Sequence, residues 1–204
     1  MTTSASIGST VSGPALPRST PEAQGIPSSA IRDFIRTADQ QVEHMHSFML
    51  VRHGHVIAEA WWHPYTWSEP HLLFSLTKSF MSTAVGMAID EGRFSLDDPV
   101  LKFFPNERPA NPPANLEKLT MRHLLTMGTG HTADPTGMVR SGENNWVKAF
   151  FDNPPQQEPG GPFLYNSAAS HVAGVIVQVV TGQTLLEYLT PRLFEPLGIH
   201  PPYW

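Results

Sequence analysis

Twenty prolines in 204 residues set the scale of every element this chain can form; the density is about twice the ~5% of average usage. Proline lacks a backbone donor and breaks helices and central strands, so the chain is divided into short elements joined by many turns. The 40% hydrophobic content still supplies a sizeable core, which excludes wholesale disorder. The length suits one domain, or one domain and part of a second. The net charge of −5 is thinly spread with no basic stripe, so no nucleic-acid partner is expected. The absence of cysteine rules out a disulfide scaffold, a thiolate zinc site and a cysteine nucleophile together.

The stretch from Met1 to Ser29 is rich in Ser, Thr, Pro and Gly, with neither a basic n-region nor an apolar h-region. The longest apolar stretches, around Val85 and Val175, are far shorter than the ~20 residues of a membrane span. These features predict a flexible leader over residues 1–27, a domain over 28–204, a cytoplasmic location and no membrane partner.

Periodicity places the elements. Ser28 or Ser29 is expected to cap a helix with apolar positions Ile31, Phe34, Ile35, Ala38 and Val42. Ser47 to Val51 and Val56 to Trp62 read as strands around the turn Arg52-His53-Gly54-His55. Ser75 opens a helix that Gly92 ends, and Asp97-Asp98-Pro99 begins a short one through Phe104. Thr120 caps Met121 to Met127, Trp146 to Phe151 is a further helical piece, and Ser167 to Val180 is a long apolar helix ending at Gly182. Thr184-Leu185-Leu186-Glu187 is a capping box opening the last helix, with Gly198 as its stop. No segment after the hairpin reads as a third strand, although Met49, Val51, Val56, Ile57, Trp61 and Trp62 require partners and a lone hairpin is marginal.

Two motifs can carry chemistry. In Ser75-Leu76-Thr77-Lys78, positions i and i+3 share a helix face, which brings the Lys78 amine to the Ser75 hydroxyl, an alcohol that needs a base to become a nucleophile. The apolar residues Leu72-Leu73-Phe74 and Phe80-Met81 around it predict a semi-buried site, where burial would lower the lysine pKa. The competing reading is that Ser75 caps the helix and Lys78 is solvated. In Tyr165-Asn166-Ser167 a phenol beside an ammonium can relay a proton, while an amide or hydroxyl can donate to a substrate carbonyl. The competing reading there is a helix start with Asn166 or Ser167 as cap and Tyr165 packed.

Taken in order, these motifs resemble the serine β-lactamase-like family of penicillin-binding proteins, class C β-lactamases and related esterases and amide hydrolases. That family has S-x-x-K opening a helix after an N-terminal hairpin, then Y-x-N or Y-x-S roughly ninety residues later. Gly92 to Val100, Leu119 to Met127 and Phe194 to Ile199 are similar to the same family, and the resemblance covers roughly Thr20 to Tyr203. It implies an α+β, β-lactamase/transpeptidase-like fold: the N-terminal hairpin of the antiparallel sheet plus the helical region, with the C-terminal strands missing. It further implies Ser75 as acyl-accepting nucleophile, Lys78 as its general base and Tyr165 sharing the proton and passing it to the leaving group. Asn166 and Ser167 would contact a small ester or amide substrate. No cofactor and no metal are implied. Ser167 stands where class C lactamases have Asn, which leans toward the esterase or amide-hydrolase branches. The family's K-T-G or H-x-G strand, carrying the second oxyanion-hole amide, has no match; His53-Gly54-His55 precedes Ser75 and reads as a hairpin turn. An inactive fragment or interaction module is therefore the alternative, and an oligomer or a missing C-terminal half could complete the sheet.

Other chemistries have little support. Ten histidines include no H-E-x-x-H, and their places on a hairpin and in loops suit surface or packing roles better than zinc ligation. No G-x-S-x-G, G-x-G-x-x-G or P-loop occurs. Trp61, Trp62 and Trp67 are expected to pack rather than to form a ligand platform.

Overall fold

A computed structural model describes residues 16–141, 145–199 and 203. Its contacts divide the chain into two compact units, one running to Leu72 and the other from Leu73 to Pro196.

The first unit is built on one hairpin, β1 (Ser47–Arg52) and β2 (His55–Trp61), paired antiparallel from Ser47↔Trp61 to Arg52↔His55 with a bulge at Leu50/Val51. The expected turn is present: His53 (φ 49°) and Gly54 (φ 77°) both take positive φ, the conformation that matches the right-handed twist of a two-residue hairpin. Helix α1 (Ser28–Gln41) begins after Pro27 and no side chain caps it, so the expected Ser28 or Ser29 cap is not made; proline's fixed φ sets the start instead. Ile31 and Ala38 of α1 are buried, and Phe34 stacks on Phe48 of β1 at 5.2 Å. The opposite face of the hairpin stays open, with Met49, Val51 and Trp61 exposed. Trp62 is tied to α1 through its Nε1–H donating to Asp39 (2.8 Å), whereas Trp67 is 68% exposed rather than packed.

The leader expected to be flexible over 1–27 is ordered where it is described. The Val56 N–H donates to the Pro17 carbonyl (2.8 Å) and the Ser19 N–H to the Val56 carbonyl (3.1 Å), a short parallel bridge on the free edge of β2. A strand edge with unpaired backbone groups recruits whatever chain lies beside it. Residues 1–15 lie outside the described set.

The second unit is helical. Helix α2 (Thr77–Asp90) buries Met81, Ala84, Val85 and Ala88, the i, i+3, i+4, i+7 stripe of an amphipathic helix, and Gly92 (φ 71°) ends it as expected. The Asp97 to Phe104 segment forms only a 3-10 turn at Val100–Phe103. Short helices α3 (Ala114–Glu117), α4 (Met121–Leu125), α5 (Thr136–Ser141) and α6 (Trp146–Asp152) follow. Helix α7 (Ser167–Thr181) is the central element, burying Ala168, Ala169, Val172, Ala173, Ile176 and Val177. Helix α8 (Leu185–Leu189) starts at the expected Thr184/Glu187 capping box, but continues as a π turn through Phe194 rather than to Gly198. Gly174 lets α7, α2 and α8 converge: a Cβ there would lie 3.0 Å from Leu185 Cδ1 and 3.3 Å from Met81 Cγ.

Gly130 fixes the long loop between α6 and α7. Its φ is +82° and a Cβ would sit 2.3 Å from the Gln157 carbonyl oxygen, while its own carbonyl accepts from the Gln157 N–H at 2.9 Å. Gly130→Ala is therefore expected to destabilise the chain by about 3 kcal/mol, combining the left-handed backbone penalty with a clash against rigid backbone. Urea unfolding of the two proteins checks this; a change within 0.5 kcal/mol, the ~0.5 kcal/mol range of an ordinary surface substitution, would disprove it.

Candidate active site

Ser75 lies not in α2 but in the 3-10 turn Phe74–Leu76 that leads into it. Phe74 holds a left-handed backbone (φ 45°), a strain of roughly 1–2 kcal/mol for a non-glycine residue. The turn keeps the i, i+3 relation, and Lys78 Nζ donates to Ser75 Oγ at 3.3 Å. Ser75 Oγ also forms a short hydrogen bond with the Tyr165 hydroxyl, ninety residues away in sequence. The α2 N-terminus has no side-chain cap, so the Ser75 hydroxyl is engaged with Lys78 and Tyr165 instead of capping.

The expected apolar flanks divide: Met81 is buried and Phe80 partly so, but the run before Ser75 lies open. Leu72 and Phe74 are 83% and 80% exposed and Ser75 itself is exposed, while Lys78 is half-buried. Phe74 belongs to the helical unit, whose described residues leave its ring open.

Tyr165 is carried on a loop clamped by its surroundings. The Leu164 N–H donates to the Met127 carbonyl (3.1 Å), the Asn166 N–H to Met127 Sδ (3.4 Å), and the Gly160 N–H to the Gly128 carbonyl (2.8 Å). The ring lies beside Lys78, with Nζ 5.0 Å from its centroid. The phenol pKa is drawn down to about 8, first by its hydrogen bond with Lys78 and then by that with Ser75. Positive charge and donated hydrogen bonds both favour the phenolate, so three groups form one proton-sharing cluster.

Asn166 and Ser167 part company. Ser167 is the first residue of α7, half-buried and close enough to Tyr165 to assist in lowering its pKa. Asn166, expected to touch substrate, is fully buried. Its Oδ1 accepts from the Ala169 N–H (2.8 Å) as the α7 cap, and its Nδ2 donates to Thr129 Oγ1 (3.4 Å). A capping side chain turns back over its own helix start, so this amide serves the fold and cannot reach a ligand.

Behind it lies a buried chain that sequence reasoning missed. Thr129 Oγ1 bonds His131 Nδ1 (2.8 Å), and His131 Nε2 bonds the Asn153 carbonyl (2.9 Å). The carbonyl requires an Nε2–H, which leaves Nδ1 as acceptor of the Thr129 hydroxyl proton. Burial holds the His131 pKa below its ordinary 6.5, so the native state disfavours the imidazolium. Stability from this group is complete above the unfolded value and is lost as pH falls through it. The urea midpoint should therefore drop between about pH 7 and pH 5.5, and less steeply in His131→Gln. An identical slope in the two proteins would refute this assignment.

Other histidines have structural uses. His123 Nδ1 accepts from the Thr120 N–H (3.1 Å), completing the start of α4, and His46 stacks on Tyr65 at 3.8 Å. Among the described residues no group of three or more His, Cys, Asp or Glu side chains could hold a metal ion. No single helix among them is long and apolar enough to cross a membrane.

Comparison with known proteins identifies the family and fold. The Beta-lactamase family model matches residues 31–204. Lovastatin esterase of Penicillium rubens is 30% identical over a match covering 62% of this chain and 37% of the esterase. Protein flp of Staphylococcus aureus strain MW2 is 30% identical, covering 60% of this chain and 26% of its own. Among solved structures, the octameric penicillin-binding protein homologue from Pyrococcus abyssi superposes with a TM-score of 0.63 at 26% identity, over 85% of this chain and 43% of that one. The chain thus spans well under two thirds of the length of these relatives, and its two-stranded sheet is set in a β-lactamase/transpeptidase-like fold. On the match of residues 31–204, this chain belongs to the Beta-lactamase family.

Proposed function

We propose that the protein is a serine hydrolase that cleaves a small ester or amide through an acyl-enzyme on Ser75. The observation that carries this reading is the convergence of Ser75 Oγ, Lys78 Nζ and the Tyr165 hydroxyl, brought together from a helix start and a loop ninety residues apart. In the reaction Ser75 Oγ attacks the substrate carbonyl carbon, and its proton passes to the Lys78–Tyr165 pair. Collapse of the tetrahedral adduct breaks the bond to the leaving group, which takes that proton; water then repeats the sequence to release the acid and free Ser75. The esterase name of the Penicillium relative and Ser167 after the tyrosine favour an ester or simple amide over a β-lactam.

A fluorophosphonate probe tests the assignment. Labelling of the protein that disappears in Ser75→Ala is expected; equal labelling of both, or none of either, would overturn it and favour the inactive reading. Hydrolysis of nitrocefin compared with that of short-chain nitrophenyl esters then separates lactam from ester substrates. The octameric assembly named for the Pyrococcus relative supports self-association here as well, for which a purely monomeric sedimentation profile would be the disproof.

A further inference from the structure

Among the described residues four polar side chains are buried, Thr129, His131, Asn166 and Ser170, and hydrogen bonds join all four into one cluster. A buried polar group costs free energy unless it is hydrogen-bonded, so their confinement to one place calls for a reason. The cluster is centred on Asn166, the residue that follows Tyr165 and caps α7.

Its bonds run in one direction, each donor meeting an acceptor. The Ala169 N–H donates to Asn166 Oδ1 (2.8 Å), which turns the amide NH2 toward Thr129 Oγ1 (3.4 Å). The Thr129 hydroxyl donates to His131 Nδ1 (2.8 Å), and the His131 Nε2–H to the Asn153 carbonyl (2.9 Å). Ser170 Oγ donates to the Asn166 carbonyl from the first turn of α7 (3.4 Å). Asn153 in turn closes α6, its Nδ2 donating to the Ala149 carbonyl (2.8 Å). The start of α7 is thereby tied through the interior to the end of α6, with Thr129 and His131 as the links.

The same segment holds the residues on both sides of the phenol. Met127 takes the Leu164 N–H on its carbonyl and the Asn166 N–H on its Sδ, and two residues on, Thr129 takes the Asn166 side chain. Tyr165 itself is 44% exposed, so core packing does not hold its ring.

We infer that Thr129 and His131 are positioning residues for the proton transfer at Ser75: the buried chain holds Asn166 and through it sets the Tyr165 hydroxyl on Ser75 Oγ. The inference rests on the Ser75 assignment and adds to it two residues that touch neither the substrate nor the reacting atoms. A hydroxyl at position 129 accepts from Asn166 and donates to His131 at once, which a valine of the same shape cannot do. His131, with its proton on Nε2, aims the Thr129 proton away from Asn166 and leaves the oxygen lone pairs to the amide. Proton transfer tolerates little displacement, since a misplacement of ~1 Å can cost about 10²-fold in rate.

Three variants test this. Thr129→Val keeps the volume and removes both bonds; Asn166→Ser keeps a capping oxygen for α7 but loses the amine that reaches Thr129. Thr129→Ser retains the hydroxyl and is the rescue. The readouts are the ultraviolet titration of the Tyr165 phenol, taken as the difference from Tyr165→Phe, and kcat and KM for nitrophenyl acetate. Lys78 is the charged group beside this ring, and the phenol stays near 8 only while Lys78 and Ser75 reach it. In Thr129→Val and Asn166→Ser the midpoint should move from about 8 toward 10. Their kcat should fall about 10- to 100-fold with KM within about twofold. Thr129→Ser should keep the midpoint near 8 and kcat within about threefold.

A midpoint still near 8 in folded Thr129→Val and Asn166→Ser, or a Thr129→Ser as impaired as Thr129→Val, overturns the inference. Thr129→Val leaves an amide and an imidazole nitrogen unpaired in the interior; if it does not fold, Asn166→Ser decides alone. The titration needs no turnover. A midpoint that moves in the variants of a protein that hydrolyses no ester would uphold the positioning and reject the Ser75 reading. Hydrolysis that depends on Ser75, with an unmoved midpoint, would do the reverse.

Discussion

Ser75→Ala should lower ester hydrolysis by about four orders of magnitude or more while leaving the unfolding midpoint nearly unchanged. Both halves of that expectation come from the same geometry. Ser75 is exposed on a 3-10 turn, and among the described residues its hydroxyl bonds Lys78 and Tyr165, so its loss removes no core packing and no helix cap. In a group of residues that act as one catalytic unit, removing the nucleophile costs about as much as removing all of them, some 10⁴-fold or more. Steady-state rates and urea unfolding of the two proteins, measured side by side, give the decision. A fall in rate matched by a fall in stability would mean that the serine acts through the fold, and a fall of less than tenfold would mean another nucleophile.

Tyr165→Phe carries the second large effect, about 10²- to 10⁴-fold, the range typical of a positioned acid–base group. Here the sign of the pH dependence adds a sharper test. The phenol pKa is lowered from 10 to about 8, so the phenolate is favoured by the fold. If the cluster takes the Ser75 proton as phenolate, kcat/KM must rise with pH and level off above about 8. Because Lys78 and Tyr165 interact closely, that value belongs to the pair. Tyr165→Phe should remove the inflection as well as the rate. A pH profile of the variant that retained an inflection near 8 would assign the titration to another group.

Much of the local framework was legible in the sequence because its signals act within a few residues. The His53-Gly54 turn, the Gly92 stop and the Thr184/Glu187 capping box each depend on neighbours in the chain, and each stands where periodicity put it. The errors follow the opposite rule. Ser28 and Ser29 have the chemistry of caps, yet Pro27 begins α1 without one. Asn166 has the chemistry of a ligand contact, yet its amide turns inward because Thr129, 37 residues earlier, offers an acceptor in the interior. Pro17 and Ser19 sit in a stretch with the composition of a flexible leader, yet the free edge of β2 pairs with them. Leu72 and Phe74 have the composition of a buried flank, yet both side chains are exposed.

The sequence by itself determined which atoms could do chemistry. Without cysteine these 204 residues offer no thiolate, and the i, i+3 spacing of Ser75 and Lys78 brings amine and hydroxyl together in any helical turn, α or 3-10. Only the tertiary structure decided that Tyr165 completes the cluster and that Asn166 does not. The physical reason is the clamped loop: backbone bonds from Leu164 and Gly160 to Met127 and Gly128 fix a segment that carries no helical or strand period of its own. That clamp sets the phenol on Ser75 and turns the next side chain into the core. Gly174 is nonlocal in the same way, since it matters only because Met81 and Leu185 pack against it from two other helices.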